Sequence, residues 1–451
     1  MTTANTLASD ALSIWQSGVD AVRPEVLIPH VLRVENETLF IRDKKYTLSD
    51  WDRIVVIGGG KAGAAMANAV IETLGPTLCR DKLTGWVNVP ENCVEELEFI
   101  QLHGARPAGV NEPTSAGVEG TQQILKLARS CETRDLCLIL ISGGGSALMP
   151  APVEGITLAD KQSVTRHLML NGATINELNC VRKQLSAVKG GRLAHAASGA
   201  GEIVSLIISD VVGDPLDVIA SGPAVGDSST PQQALIVLDQ KYGSREAIPP
   251  NVKAVLEASL TSSHEIEFPS HVSNLLIGSN QVALDAAKSK AKELGYGVRS
   301  LGSENEGDAD EYGVDLANLA LRIRQGEESL SPPVCILSGG EPTVTFAKTD
   351  QPRKGGRNQQ LVLSALTTLQ NSPDRIAILS GGTDGEDGPT DAAGAFVDAG
   401  LISRMTELGV NPDEYRDVQN AYPFFAQLDG LIITGPTNTN VMDLRVVLVG
   451  E

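Results

Sequence analysis

Four times along the chain a short run of valine, isoleucine and leucine empties into glycines: RIVVIGGGKAG from Arg53, LCLILISGGGSAL from Leu136, VCILSGGEPT from Val334 and RIAILSGGTDGEDG from Arg375. Each run is short, continuous and rich in Val, Ile and Leu, the pattern of a parallel strand buried on both faces. Each glycine cluster stands where such a strand would hand over to a helix. In open α/β sheets, ligands bind outside the carboxyl ends of the strands. Glycine there lets backbone N–H groups approach an anion with no Cβ in the way. The pattern predicts an α/β enzyme that handles phosphate.

Between these landmarks strand-like and helix-like stretches alternate. Residues 4–22 read as an amphipathic opening helix. From Trp51 to Val212, apolar runs alternate with helical stretches at Ser115–Ser130, Ala159–Leu170 and Ile175–Ala197. Such alternation implies right-handed βαβ crossovers on a mostly parallel sheet. Residues 227–269 show no clear strand and carry the run AIPPNV, which sets the expected division into domains spanning 1–245 and 246–451. The first is expected to be a Rossmann-like three-layer α/β/α domain. The second is expected to be a mixed α/β domain that opens on the strand SNLLIGSN and contains a strand pair at EPTVTF.

Composition narrows the partners. A net charge of −20 argues against nucleic acid or an anionic membrane. An anionic small molecule would need a local cluster of cations against that background. No apolar run approaches membrane-spanning length, and the N-terminus lacks the basic start of a secretory signal, so a cytoplasmic location is expected. The six cysteines are scattered without a C-x-x-C pair, as befits reduced thiols. Oligomeric state is left open.

The candidate site residues follow from the glycine turns. Gly58, Gly59, Gly60 and Gly63 fit G-x-G-x-x-G, formally a dinucleotide fingerprint. That fingerprint also wants an acid closing the next strand, whereas LTGWVNVPEN offers only Glu91, late and after a proline. Lys61 puts a cation among the glycines, which suits a transferring phosphate better than a pyrophosphate. The second turn, Ser142, Gly143, Gly144, Gly145 and Ser146, sets two hydroxyls around three glycines. Arg182, Lys183, Lys189 and Arg192 concentrate cations in an acidic protein, and helical spacing would bring Arg182, Lys189 and Arg192 together. Asp210 ends a strand, where a metal ligand or general base would sit.

In the second half, Arg357 stands in the first turn of a helix opened by Gly355 and Gly356, an odd place for a cation unless an anion binds there. Asp384, Glu386 and Asp387 lie between glycines, suggesting either Mg²⁺ with nucleotide or plain solvation. Thr437, Asn438 and Asn440 form a polar turn near the C-terminus.

Eight blocks in order resemble the glycerate 2-kinases of the MOFRL type: VVIGGGKAGAAMA, LISGGGSALMPAP, NCVRKQLSAVKGGRLA, SDVVGDPLDVIASGP, SGGEPTVT, GGRNQQLVLSAL, SGGTDGEDGPTDAAGAFVD and GPTNTNV. The resemblance implies ATP- and Mg²⁺-dependent phosphorylation of D-glycerate at its 2-hydroxyl, in two α/β domains with the active site in the cleft between them. The family's functional lysine and arginine map onto Lys61 and Arg357. Asp210 joins them as a catalytic candidate and, with Asp384, as a metal candidate. Gly58–Gly60, Ser142–Ser146, Lys189, Arg192 and Asn438 are the expected nucleotide contacts, with the Ser142–Ser146 turn holding either phosphate oxygens or the glycerate carboxylate. The chain departs from the family at Gln184, often a histidine, at SENEGDADEYG, and at LHGARPAGVNEP. The competing classes are an NAD(P)-dependent hydroxypyruvate reductase and a non-catalytic sugar-phosphate sensor.

Overall fold

The computed structural model of the chain describes residues 4–107, 110, 112–261, 268–348, 351–370 and 374–451. Residues 108, 109 and 111 of the LHGARPAGVNEP segment, and 262–267 of the stretch expected to divide the domains, lie outside that description. The chain forms two compact units, one of Leu27–Ile277 and one of Met1–Val26 with Gly278–Glu451. Among the described residues no helix is long and apolar enough to cross a membrane.

The Leu27–Ile277 unit opens with a small antiparallel sheet of β1 (Leu32–Glu35), β2 (Thr38–Ile41) and β3 (Lys44–Thr47). Its main sheet holds β4 (Arg53–Gly59), β5 (Leu83–Pro90), β6 (Ile100–Arg106), β7 (Asp135–Ile141), β8 (Glu202–Ile208) and β9 (Val272–Gly278). Their order is β6-β5-β4-β7-β8-β9, with β5–β6, β4–β5, β4–β7 and β7–β8 paired in parallel. The chain winds outward from β4 in one direction, then returns beside β4 with β7 and winds outward in the other. The topological switch point therefore falls between β4 and β7, the two strands that carry GGGKAG and SGGGS. Every residue of β7 is buried, as its unbroken apolar sequence requires.

The described part of the stretch expected to divide the domains is instead mostly helical and belongs to this unit. Helices Pro231–Tyr242 and Pro250–Thr261 pack Leu235, Leu238, Val252 and Leu256 against Val164, Leu168 and Val181 in a satellite core. Threonine capping boxes start three of its helices, with Thr157 and Asp160, Thr174 and Glu177, and Thr230 and Gln233 as reciprocal pairs. The strand expected to open the second domain is β9, which completes the first sheet. The helix expected over Ile175–Ala197 is interrupted. It runs Ile175–Gln184, turns through Gly190 and Gly191 in left-handed conformations, and resumes at Arg192–Ala196.

The other unit is built on β10 (Gly297–Ser300), β11 (Val334–Gly340), β12 (Ile376–Gly382), β13 (Gly394–Val397), β14 (Leu431–Ile432) and β15 (Asp443–Val449). Their order is β10-β11-β15-β12-β13-β14. β15 is antiparallel to both neighbours, so β11 and β12 run the same way on either side of it. The register sets Asp443 opposite Gly340 on one side and Gly382 on the other. The segment EPTVTF forms no strand and makes only a bridge from Thr343 to Asp308.

The opening helix, Ala4–Ala21, belongs to this second unit although some 250 residues separate it from the rest. Ile14, Trp15 and Val19 are fully buried against Leu337, Leu379, Leu444 and Val446. The Trp15 indole N–H donates to Gly381 O at 3.2 Å, bracing the glycine end of β12. Trp15→Ala is expected to cost about 3–5 kcal/mol. Hydrogen exchange should show the loss in β11, β12 and β15 with β4 and β7 unchanged; equal loss in both sheets would contradict the placement of this helix.

Candidate active site

At the switch point of the first unit, the turn after β4 is tied to the turn after β7. Lys61 N–H donates to Gly143 O at 2.7 Å, and Ala62 N–H donates to Ser142 Oγ at 3.0 Å. Approach this close excludes side chains: a Cβ on Gly60 would lie 2.0 Å from Ser142 Oγ. Gly144 adopts a left-handed φ of 76° and starts the short helix Gly145–Leu148. A Cβ on Gly144 would lie 3.1 Å from Arg106 Nη2 and 3.5 Å from Lys61 Cγ, so the Arg106 guanidinium and the stem of Lys61 border this turn. Arg106 ends β6 and is buried, and its position at a carboxyl strand end was the only signal for it in the sequence.

The end of β5 is where a dinucleotide site would carry its ribose-binding acid. Asn88 stands there, fully buried, donating to Leu148 O at 2.8 Å and Thr121 Oγ1 at 3.3 Å. Glu91 follows in an exposed turn. The strand end is thus committed to packing, and the nicotinamide reading loses its main requirement.

Ser146 gathers the cations that the sequence placed apart from it. Its Oγ accepts from the Arg182 guanidinium and from Lys189 Nζ at 2.7 Å, and Lys189 also donates to Ser146 O at 2.9 Å. Ser221 Oγ lies 3.3 Å from Ser146 Oγ and itself donates to Asn179 Oδ1 at 3.0 Å, so the Ser146 proton points to Ser221. Ser221 holds this position from a left-handed backbone, φ 63°, next to Ala220 at φ 50°. Burial, reinforced by Arg182 and Lys161, pulls the Lys189 pKa well below its usual value. Arg192 turns away to Ser186 O at 2.5 Å and Gln184 O at 3.4 Å. Gln184 donates to Asp227 at 3.0 Å and to Ser229. Asp210 lies half-buried two residues past β8.

In the second unit, Arg357 does not await an anion in the way its place at a helix start suggested. Its Nε and Nη2 meet Asp443 Oδ2 at 2.7 Å and Oδ1 at 3.0 Å, a bidentate pair, and Nη1 meets Glu341 at 2.8 Å. Burial works against the Arg357 charge, but Asp443 and Glu341 outweigh it and hold the pKa above the usual arginine value. The helix start is satisfied by Asp387, which accepts from Asn358 N at 3.0 Å and Gln359 N at 2.8 Å. Burial raises the Asp387 pKa to about 7 against the pull of those two N–H groups. Gly356 is obligatory beside it, because a Cβ there would sit 2.3 Å from the Asp387 carboxyl carbon.

Glu341 is raised above its usual pKa, by burial first, with Asp443 and Asp384 adding to the effect and Arg357 opposing it. The polar C-terminal turn packs on the same loop: Thr437 N–H donates to Asp384 O at 3.2 Å, and Thr383 Oγ1 accepts from Val441 N at 2.8 Å. Asn438 is exposed in this turn with φ 61°. A cavity of about 440 Å³ in this unit is lined by Glu341, Phe346, Gly356, Arg357, Gly388 and Gln419 among others. Among the described residues no set of three His, Cys, Asp or Glu side chains is arranged to hold a metal ion. Mg²⁺ bound with nucleotide needs only one or two carboxylates, the phosphates and water supplying the rest.

A doubly wound sheet with paired glycine turns at its switch point, a lysine above them, and a second mixed sheet carrying an arginine among carboxylates describes a phosphate-handling two-unit α/β protein. Residues 10–257 match a family model described as a domain of unknown function, DUF4147, and residues 334–443 match the MOFRL family. The chain is 37% identical to a glycerate kinase of Rattus norvegicus, covering 99% of this chain and 94% of that protein. It is also 37% identical to a D-glycerate 2-kinase of Thermotoga maritima, covering 97% of each. The crystal structure of a glycerate kinase from Thermotoga maritima superposes with a TM-score of 0.84 at 34% identity, over 99% of this chain and 100% of that one. The chain belongs to the glycerate kinase family of the MOFRL type.

Asp443→Asn keeps the shape of the Arg357 pair but removes the buried charge. It is expected to destabilise the second unit by about 1.5–3 kcal/mol, the range for a hydrogen bond to a charged group. Urea unfolding followed by a probe in that unit checks this, and an unchanged midpoint would contradict the pairing.

Proposed function

We propose that the chain transfers the γ-phosphoryl group of ATP to the 2-hydroxyl of D-glycerate, giving 2-phosphoglycerate and ADP. The observation that carries this reading is the joined pair of glycine turns at the β4–β7 switch point, bordered by Lys61 and Arg106. It agrees with the names borne by full-length relatives, D-glycerate 2-kinase among them. Nothing in the site favours hydride transfer.

In this reading the 2-hydroxyl oxygen forms a bond to the γ-phosphorus as the bond from that phosphorus to the bridging oxygen of ADP breaks. The hydroxyl proton passes to a carboxylate, for which Asp210 is the candidate. Phosphoryl transfer depends on positioning and charge neutralisation more than on covalent chemistry. Lys61, with its backbone fixed on Gly143, neutralises charge on the transferring group. Arg357, oriented by Asp443, is assigned the same role. The Gly58–Gly60 and Ser142–Gly145 turns offer amides to phosphate oxygens, with Ser146, Lys189, Arg192 and Asn438 as the further nucleotide-side candidates.

Mg²⁺ fits the second unit. Glu341, Asp384 and Asp443 outnumber Arg357 there, an excess of carboxylate that a divalent cation would offset. Glu341 and Asp384 would hold the ion, with Asp210 the candidate in the first unit. When bound, Mg²⁺ would neutralise the nucleotide phosphates.

Lys61→Ala and Arg357→Ala are each expected to lower kcat by about 10²-fold or more, as with other transition-state donors. ADP release from ATP, Mg²⁺ and D-glycerate measures this. Near-normal turnover in either variant removes that residue from the mechanism, and nicotinamide oxidation with hydroxypyruvate in place of ADP release would overturn the kinase reading.

A further inference from the structure

The cations around Ser146 include one that the sequence did not single out. Lys161 lies on helix Leu158–Leu170, only 8% exposed, and its Nζ is buried without a hydrogen-bond partner. An unpaired ammonium out of contact with water is costly and is retained only where something repays it. The groups acting on Lys161 are Arg182 from helix Ile175–Gln184 and Arg192 from helix Arg192–Ala196, while Lys161 in turn acts on Lys189. All are positive. The neighbouring carboxylates are engaged elsewhere. Asp160, next to Lys161 on its own helix, caps that helix with Thr157. Asp217 and Asp227 turn to Lys183, at 3.4 and 3.7 Å, and Asp227 also acts on Arg192. Among the described residues neither Lys161, Arg182 nor Lys189 pairs with a carboxylate.

This cluster differs in kind from the glycine turns. Those present backbone amides, the usual cradle for phosphate. The cluster presents side chains: an arginine fork of the shape that matches a carboxylate, two ammonium groups, and a hydroxyl relay through Ser146, Ser221 and Asn179. The reaction has two anions to seat, the nucleotide phosphates and the carboxylate of the acceptor. We propose that Lys161, Arg182 and Lys189, grouped about Ser146, bind the carboxylate of the hydroxy-acid acceptor, an assignment that rests on the kinase reading above. Lys161 and Arg182 are then substrate-binding residues, and Ser146 and Lys189 move from the nucleotide to the acceptor.

The test is calorimetric titration of D-glycerate into the full-length protein saturated with ADP, which reads binding without turnover. Burial, with Arg182 and Arg192 adding to it, lowers the Lys161 pKa to about 7 in the free protein. A bound carboxylate raises it again, so the wild-type affinity must fall as pH rises past that value. From pH 6.5 to 8.5 the fall is expected to be roughly tenfold or more, since each unit above the free pKa removes about tenfold of the binding form. Lys161→Arg, which stays charged, should bind D-glycerate with a weaker pH dependence than the wild type, the remainder belonging to Lys189. Lys161→Met should bind at least about tenfold more weakly at pH 6.5 and keep ADP affinity within about twofold. Its unfolding midpoint should be equal or higher, because it removes an unpaired buried charge. Wild-type glycerate affinity in Lys161→Met, absent glycerate binding in the wild type, or weakened ADP binding in place of glycerate binding would each overturn the assignment. If the wild type binds D-glycerate in this pattern yet releases no ADP from ATP, the kinase reading fails while the carboxylate site stands. If Lys161→Met is active with an unaltered KM for D-glycerate, the carboxylate site fails while the kinase reading stands.

Discussion

Two hydrogen bonds, from Lys61 N–H to Gly143 O and from Ala62 N–H to Ser142 Oγ, join the turns that leave β4 and β7. The rest of the first unit follows from what those bonds require. The strands must be parallel neighbours, so that both turns leave at the same end of the sheet. The residue before Lys61 must be glycine, because a Cβ on Gly60 would lie 2.0 Å from Ser142 Oγ. The winding of the sheet must reverse between them, which opens the crevice in which α/β sheets bind ligands. Lys61 then has a fixed backbone and a side chain beside the turn, which suits a group that must meet charge developing in a transition state.

The second unit solves a different electrostatic problem with related parts. Its two glycine-ended strands straddle β15, and the residue between the glycines is Asp443. Around Arg357 the carboxylates exceed the cations, whereas around Ser146 the cations stand without carboxylates. A protein of net charge −20 therefore holds one locally basic cluster of side chains and one locally acidic one. We propose the anionic acceptor for the first and a divalent ion for the second. Both clusters are partly buried, where solvent and salt screen charge least.

The glycine turns were legible in the sequence because a buried parallel strand ending in glycine is a local pattern. Lys61 was legible because it interrupts one. What was not legible depends on distance along the chain. Arg357 looked unpartnered at a helix start because Asp443, which binds it, lies 86 residues further on. Lys161 drew no notice in the helical stretch Ala159–Leu170, since only the fold shows that its Nζ is enclosed. Residues 227–269 read as a divide because they show no clear strand and carry AIPPNV, yet the helices Pro231–Tyr242 and Pro250–Thr261 within them cover Val164, Leu168 and Val181. The opening helix was recognised as a helix, but nothing local tells which sheet Trp15 will brace.

The central claim is that phosphate is delivered to the 2-hydroxyl, and proton-coupled phosphorus NMR of the product tests it most directly. With ATP, Mg²⁺ and D-glycerate, a phosphate on C2 is coupled to a single proton and gives a doublet. A triplet, from phosphate on the C3 methylene, or the absence of any phosphorylated glycerate, would contradict it.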